Sequence, residues 1–181
     1  TTLTGTYATQ ATVFRPAPPG SYALRGALRT NPSAATGFWN LRGWGATGAQ
    51  AEMAADTLYA CVSIYIASLP DGNTICTQIV NSANGALVQL LLLTTGVVRC
   101  QYIDGADATQ ALTDSPVLLP NQWYTLEVAA ITASAVAGAT VMARLDGQQF
   151  ANQNGLTLRS ASRTCDRVRI GSITAGRTTD L

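Results

Sequence analysis

A chain of 181 residues with 11 arginines, no lysine, no histidine and a net charge of +1 excludes several chemistries at once. Without histidine there is no Ser-His-Asp or Cys-His activation of a nucleophile, and arginines scattered along the chain give no broad basic field for nucleic acid. Charged residues make up only 12% of the chain, against about a quarter in a typical globular domain, so Thr, Ser, Asn, Gln and Ala must supply the surface.

The length fits one domain over 1–181, burying roughly 70% of its unfolded surface with no need of a metal or disulfide. The longest apolar run, Ala86 to Leu93, contains Gln89 and falls far short of the ~20 residues of a membrane span. No basic-then-apolar leader precedes Thr1, so the chain as given reads as soluble with no membrane span.

Residues 1–21 read as a strand and a Pro-rich segment: Ala11 to Phe14 is strand-like, and Pro16, Pro18, Pro19 and Gly20 follow it. Tyr22 to Leu28 and Phe38 to Trp44 are further strand candidates, separated by Asn31-Pro32. Ala46 to Ala55 is the helix candidate.

From Leu58 onward the period is 2. Leu58, Ala60, Val62, Ile64 and Ile66 face inward and Tyr59, Cys61, Ser63 and Tyr65 outward, the signature of a half-buried strand. Ile75, Thr77 and Ile79 repeat the alternation after Pro70-Asp71-Gly72-Asn73. The run Ala86 to Leu93 is apolar on both faces and predicts a central strand. Val97 to Ile103 returns through Thr94-Thr95-Gly96. These four strands read as a meander.

Tyr124, Leu126, Val128 and Ala130 alternate with Thr125, Glu127 and Ala129, and Val141, Ala143 and Leu145 alternate with Met142 and Arg144. Asp146-Gly147 then predicts a two-residue type I′ turn, which needs positive φ at both central positions. Val168 and Ile170 mark a last strand ending at Gly171. About ten short strands with almost no helix predict an all-β, antiparallel two-sheet sandwich.

Cys61, Cys76, Cys100 and Cys165 have no CxxC spacing, which argues against zinc. They read as small buried hydrophobes, with disulfide pairing left open.

The stretches "LYACVSIYIASLP" at 58–70, "GALVQLLLLTTGVVRCQY" at 85–102, "LLPNQWYTLEV" at 118–128, "ATVMARLDGQQFA" at 139–151 and "DRVRIGS" at 166–172 resemble the concanavalin A-like lectin/glucanase superfamily in its laminin-G-like jelly-roll branch. The resemblance covers the sandwich core, 22–172. It implies a closing strand after the Ile-Gly strand, expected beyond 181 or replaced by a neighbour or the N-terminal segment. Glycosidases of that superfamily carry Glu-x-Asp-x-x-Glu, which sets two carboxylates on one face for retaining hydrolysis. Here there are only Glu52 and Glu127; "EMAAD" at 52–56 has the wrong spacing and Glu127 stands alone on its strand. The expectation is therefore a chain that is not an enzyme.

Sugar sites on sandwiches use exposed aromatics that stack on pyranose faces, and Trp39 and Trp44 in "FWNLRGWG", with outward Tyr59 and Tyr65, are the candidates. Trp123 reads instead as a structural plug at a strand start. No cofactor is required, but Asp104 and Asp107 in "IDGADA" are the candidates for a loop-rim Ca²⁺, since hard cations take loop carboxylates. Arg159, Arg163, Arg167 and Arg169 form the one basic cluster, read as strand and turn decoration. The function expected is a non-catalytic recognition module binding glycan or a protein surface, extracellular, at the cell surface or on a virion. The alternative is a structural protein, a virion component or surface-filament subunit, associating with copies of itself through an open sheet edge.

Overall fold

The computed structural model describes residues 2–5, 8–9, 28–29, 37–42, 57–81, 83–132, 138–159 and 165–174. Its strands are β1 (Thr2–Gly5), β2 (Ala8–Thr9), β3 (Leu28–Arg29), β4 (Gly37–Arg42), β5 (Thr57–Ile66), β6 (Thr74–Asn81), β7 (Ala86–Leu92), β8 (Val98–Ile103), β9 (Thr109–Asp114), β10 (Gln122–Ile131), β11 (Ala139–Leu145), β12 (Gln148–Leu156) and β13 (Cys165–Ser172). Among the described residues there is no helix. A seven-stranded sheet runs β1-β4-β13-β6-β7-β8-β9, a four-stranded sheet runs β12-β11-β10-β5, and β2 pairs with β3. All these pairings are antiparallel, so the expected two-sheet sandwich is the fold.

Side-chain alternation explains how the sheets close on one another. Ile64 and Ile66 of β5, Tyr124, Leu126 and Val128 of β10, and Val141, Ala143 and Leu145 of β11 are buried. They meet Cys76 and Ile79 of β6, Leu90 and Leu92 of β7, Val98 and Cys100 of β8, and Val168 of β13 in a single core. Burying each large aliphatic side chain contributes about 1.5–3 kcal/mol. The polar residues between them are left on the two outer faces.

Two turns fix the register. Asp146 and Gly147 both have positive φ, 48° and 81°, as the type I′ turn between β11 and β12 demands. The Asp146 carboxylate also accepts from the Thr125 N–H at 2.7 Å, and the Asp146 N–H donates to the Thr125 carbonyl at 2.8 Å. This ties the turn to β10. Between β7 and β8, Gly96 has φ +83°, and a Cβ there would lie 2.8 Å from the Leu118 carbonyl oxygen. Only glycine lets the 115–119 segment approach so closely.

The meander differs from the sequence expectation. β5 pairs with β10, not with β6, and the meander is β6 through β9. The seven residues between β5 and β6 exceed a tight hairpin loop and carry the chain from one sheet to the other. β9, Thr-Gln-Ala-Leu-Thr-Asp, takes the fourth place; with two apolar residues in six it gives little strand signal. β7 is central, as expected, between β6 and β8. β4 and β3 overlap the upstream strand candidates, whereas 11–14, 22–27, 43–44 and the helix candidate 46–55 lie outside the described residues.

Of the cysteines, Cys76 and Cys100 are buried thiols and Cys61 is an exposed one. The Cys76 S–H donates to the Leu90 carbonyl at 3.3 Å. Burial pushes both the Cys76 and Cys100 thiols up to about 12.

Candidate functional site

Strand register gathers one polar side chain from each of four neighbouring strands of the larger sheet. Arg169 of β13 lies opposite Gln78 of β6, Gln78 opposite Gln89 of β7, and Gln89 opposite Gln101 of β8. Because Leu90, Leu92, Val98 and Cys100 occupy the core, strand alternation puts Gln89 and Gln101 on the sheet's other face. The four side chains form a continuous ladder. Arg169 Nη1 donates to Gln78 Oε1 at 3.1 Å, Gln78 Nε2 to Gln89 Oε1 at 3.2 Å, and Gln89 Nε2 to Gln101 Oε1 at 2.9 Å. Gln78 and Gln89 are 7% and 8% exposed, so their amides are satisfied chiefly by one another. Toward β8 and β9 the face opens: Gln101 is half-buried and Ala111, opposite it, is exposed.

One rung further along β8, Arg99 forms a two-pronged ion pair with Asp114 of β9, at 2.7 and 2.8 Å. The hydrogen bond to Arg99 holds the Asp114 carboxyl below the usual carboxylate range. At the opposite corner, three arginines meet the β6–β7 turn. Asn84, with φ 67°, offers its Oδ1 to Arg167 at 3.4 Å and also to Arg169. Arg167 is buried beside Asp166, which is wholly buried and pairs with it through Oδ2. Asp166 Oδ1 has no partner among the described residues. Burial, and then the neighbouring Arg167 charge, pull the Arg169 guanidinium below its ordinary value. Arg159 packs against Gly85, where a Cβ would collide with its guanidinium, and reaches Asp107 at 2.7 Å.

The sequence cluster of arginines is thus drawn to one corner of the ladder face, with Arg163 outside the described residues. The glutamines gave no motif, because they stand one to a strand and only the register aligns them. The one available signal was a polar residue, Gln89, inside an otherwise apolar run.

Two of the aromatic candidates lie on the other sheet. Tyr59, 65% exposed, and Tyr65 are on β5 of the smaller sheet. The Tyr65 ring sits 5.4 Å from that of Trp123, tilted by 53°, and its hydroxyl donates to Asn121 Oδ1 at 3.4 Å. Trp123 is half-buried on β10 opposite Tyr65. Trp39 is on β4, its Cα opposite those of Leu3 and Ile170, and Trp44 lies outside the described residues.

Asp104 and Asp107 share the β8–β9 turn, and each carboxylate accepts from N–H donors. Asp104 Oδ1 accepts from the Ala106 and Ala108 N–H groups at 2.9 Å and Oδ2 from Gln110 Nε2 at 2.7 Å. These bonds, that to Ala108 foremost, hold the Asp104 carboxyl below its usual value. Asp107 is the partner of Arg159. Among the described residues no three His, Cys, Asp or Glu side chains converge on a metal position. Glu127 faces Arg144 at 3.7 Å and has no second carboxylate on its strand.

No family model matches the chain, and no curated protein sequence does. Solved structures do. An endo-β-1,4-glucuronan lyase from the fungus Trichoderma reesei superposes with a TM-score of 0.59 at 9% identity, over 92% of this chain and 74% of that one. The fold is a concanavalin A-like jelly roll. A polysaccharide lyase of family 18 gives 0.47 at 13% identity over 79% of this chain, which spans 62% of that enzyme's length. Domains LG4-5 of the mouse laminin alpha1 chain give 0.47 at 12%, over 83% of this chain and 37% of that one.

The lyase overturns one expectation. Absence of histidine and of a carboxylate pair speaks against retaining hydrolysis, but elimination by a lyase is a separate route to cutting a polysaccharide. The expectation of no enzyme weighed hydrolysis alone and does not stand. Among the described residues no helix is long and apolar enough to cross a membrane.

Proposed function

We propose that the chain binds a polysaccharide across the ladder face of its larger sheet, in an extracellular or surface setting. The observation that carries this is the ladder itself, four hydrogen-bonded side chains in a row across β13, β6, β7 and β8. A low-charge surface with the half-buried Gln101 amide, the half-buried Arg169 guanidinium and an open β8–β9 side supplies donors at fixed positions, the equipment for recognising sugar hydroxyls and carboxylates. Rows across a sheet repeat at about 4.8 Å, which suits a ligand laid across the strands.

The test is affinity electrophoresis against a panel of polyglucuronate, polygalacturonate, xylan and a soluble β-glucan, followed by analysis of the polymers for cleavage. Retardation by at least one polymer, abolished in Gln101→Ala and retained in Tyr59→Ala, is the expected result. Unaltered mobility throughout, or loss in Tyr59→Ala alone, would refute the assignment. Sedimentation in the same buffer reads the competing role: large ligand-free assemblies would favour a structural protein.

A further inference from the structure

The ladder amides all hydrogen-bond in one direction, and the reason lies at its arginine end. A guanidinium donates and never accepts, so the Gln78 oxygen must face Arg169. That turns the Gln78 NH₂ toward Gln89, and in the same way the Gln89 NH₂ toward Gln101. Reversing any one amide sets N–H against N–H or oxygen against oxygen, and an unmet buried group costs about 1–3 kcal/mol. Away from water, successive hydrogen bonds of this kind also polarise one another. At the far end Gln101 is half-buried, and among the described residues its NH₂ meets no acceptor.

We infer that Arg169 is a positioning residue that acts through Gln78 and Gln89 to hold the Gln101 amide with its N–H donors outward, so that this end of the face selects an acceptor oxygen of a sugar residue. The distance spanned is three strand spacings, about 14 Å. The orientation of the amides stands by itself, whereas the sugar rests on the reading of this face as the binding site.

The two parts separate experimentally. Side-chain amide resonances of ¹⁵N-labelled protein without glycan are compared among the parent chain, Arg169→Met and Gln78→Met, which cuts the ladder but leaves the arginine. Backbone spectra show which variants fold. In the folded variants the Gln101 peaks are expected to move well beyond the scatter of the exposed Gln149 and Gln153 peaks, although neither substitution touches Gln101. Shifts that stop at Gln89 would overturn the inference. With a polymer that the parent binds, the same variants should lose roughly five- to tenfold in affinity, the worth of one oriented hydrogen bond. Amide shifts with unchanged affinity would overturn the assignment of the acceptor while leaving the orientation in place.

Discussion

Gly96 and Gly147 form a matched pair that isolates the effect of a close backbone approach. Both have positive φ, +83° and +81°, but a Cβ at Gly147 would meet nothing within 4 Å, while one at Gly96 would lie 2.8 Å from the Leu118 oxygen and 3.2 Å from Leu69 Cδ2. Alanine at 147 therefore introduces left-handed strain alone, about 1 kcal/mol once the stiffer unfolded chain is credited. Alanine at 96 adds a collision with a backbone atom that cannot rotate away. Relief requires the 115–119 segment to shift, at the expense of the Leu118 N–H to Gly96 carbonyl bond of 2.8 Å. With one hydrogen bond worth about 1 kcal/mol net, the total for Gly96→Ala comes to about 2–3 kcal/mol. For a chain of this size each kcal/mol lowers Tm by about 2–4 °C. Thermal unfolding followed by circular dichroism should show Gly147→Ala down by a few degrees and Gly96→Ala down by two to three times as much. Equal shifts would refute the account of the β7–β8 turn.

Other consequences are open to direct measurement. Leu126→Ala, at a fully buried site of β10, should cost about 2–5 kcal/mol in denaturant unfolding. In the native protein a thiol reagent at neutral pH should label Cys61 quickly, and Cys76 and Cys100 only on unfolding, because burial both shields the latter two and pushes them up to about 12. The folded-state pKa values of Asp104 and Asp114 are depressed by hydrogen bonds from Ala108 and Arg99. Their contribution to stability is thus complete above the unfolded carboxylate pKa of ~3.9 and is lost as pH falls through the lower folded values. Urea midpoints measured down this range should fall less steeply in Asp104→Asn and Asp114→Asn than in the parent chain.

Strand periodicity was enough to read the sandwich, since each alternating run, such as Leu58 to Ile66, names its buried face without outside help. The Asp146-Gly147 turn was legible because its chemistry is local. What periodicity does not carry is which strand lies beside which. β5 has the alternation of a first meander strand and instead lies in the other sheet, and β9 gives little strand signal because only Ala111 and Leu112 of its six residues are apolar. The ladder was hidden for the same reason. Gln78, Gln89, Gln101 and Arg169 stand eleven, twelve and sixty-eight residues apart and acquire a common meaning only when four strands are laid side by side. Of the aromatic candidates, Tyr59 and Tyr65 stand on the smaller sheet, Trp39 stands on β4 of the sheet that holds the ladder, and Trp44 lies outside the described residues.

Chemical-shift mapping of the ¹⁵N-labelled chain, titrated with a glucuronate oligosaccharide and with a neutral β-glucan oligosaccharide, tests the central claim most directly. Binding at the ladder face predicts that one of them moves the Gln101 side chain and the backbone amides of β8 and β9 around Gln101 and Ala111, leaving β5 and β10 unmoved. Perturbations centred on Tyr59, Tyr65 and Trp123, or none with either sugar, would contradict it.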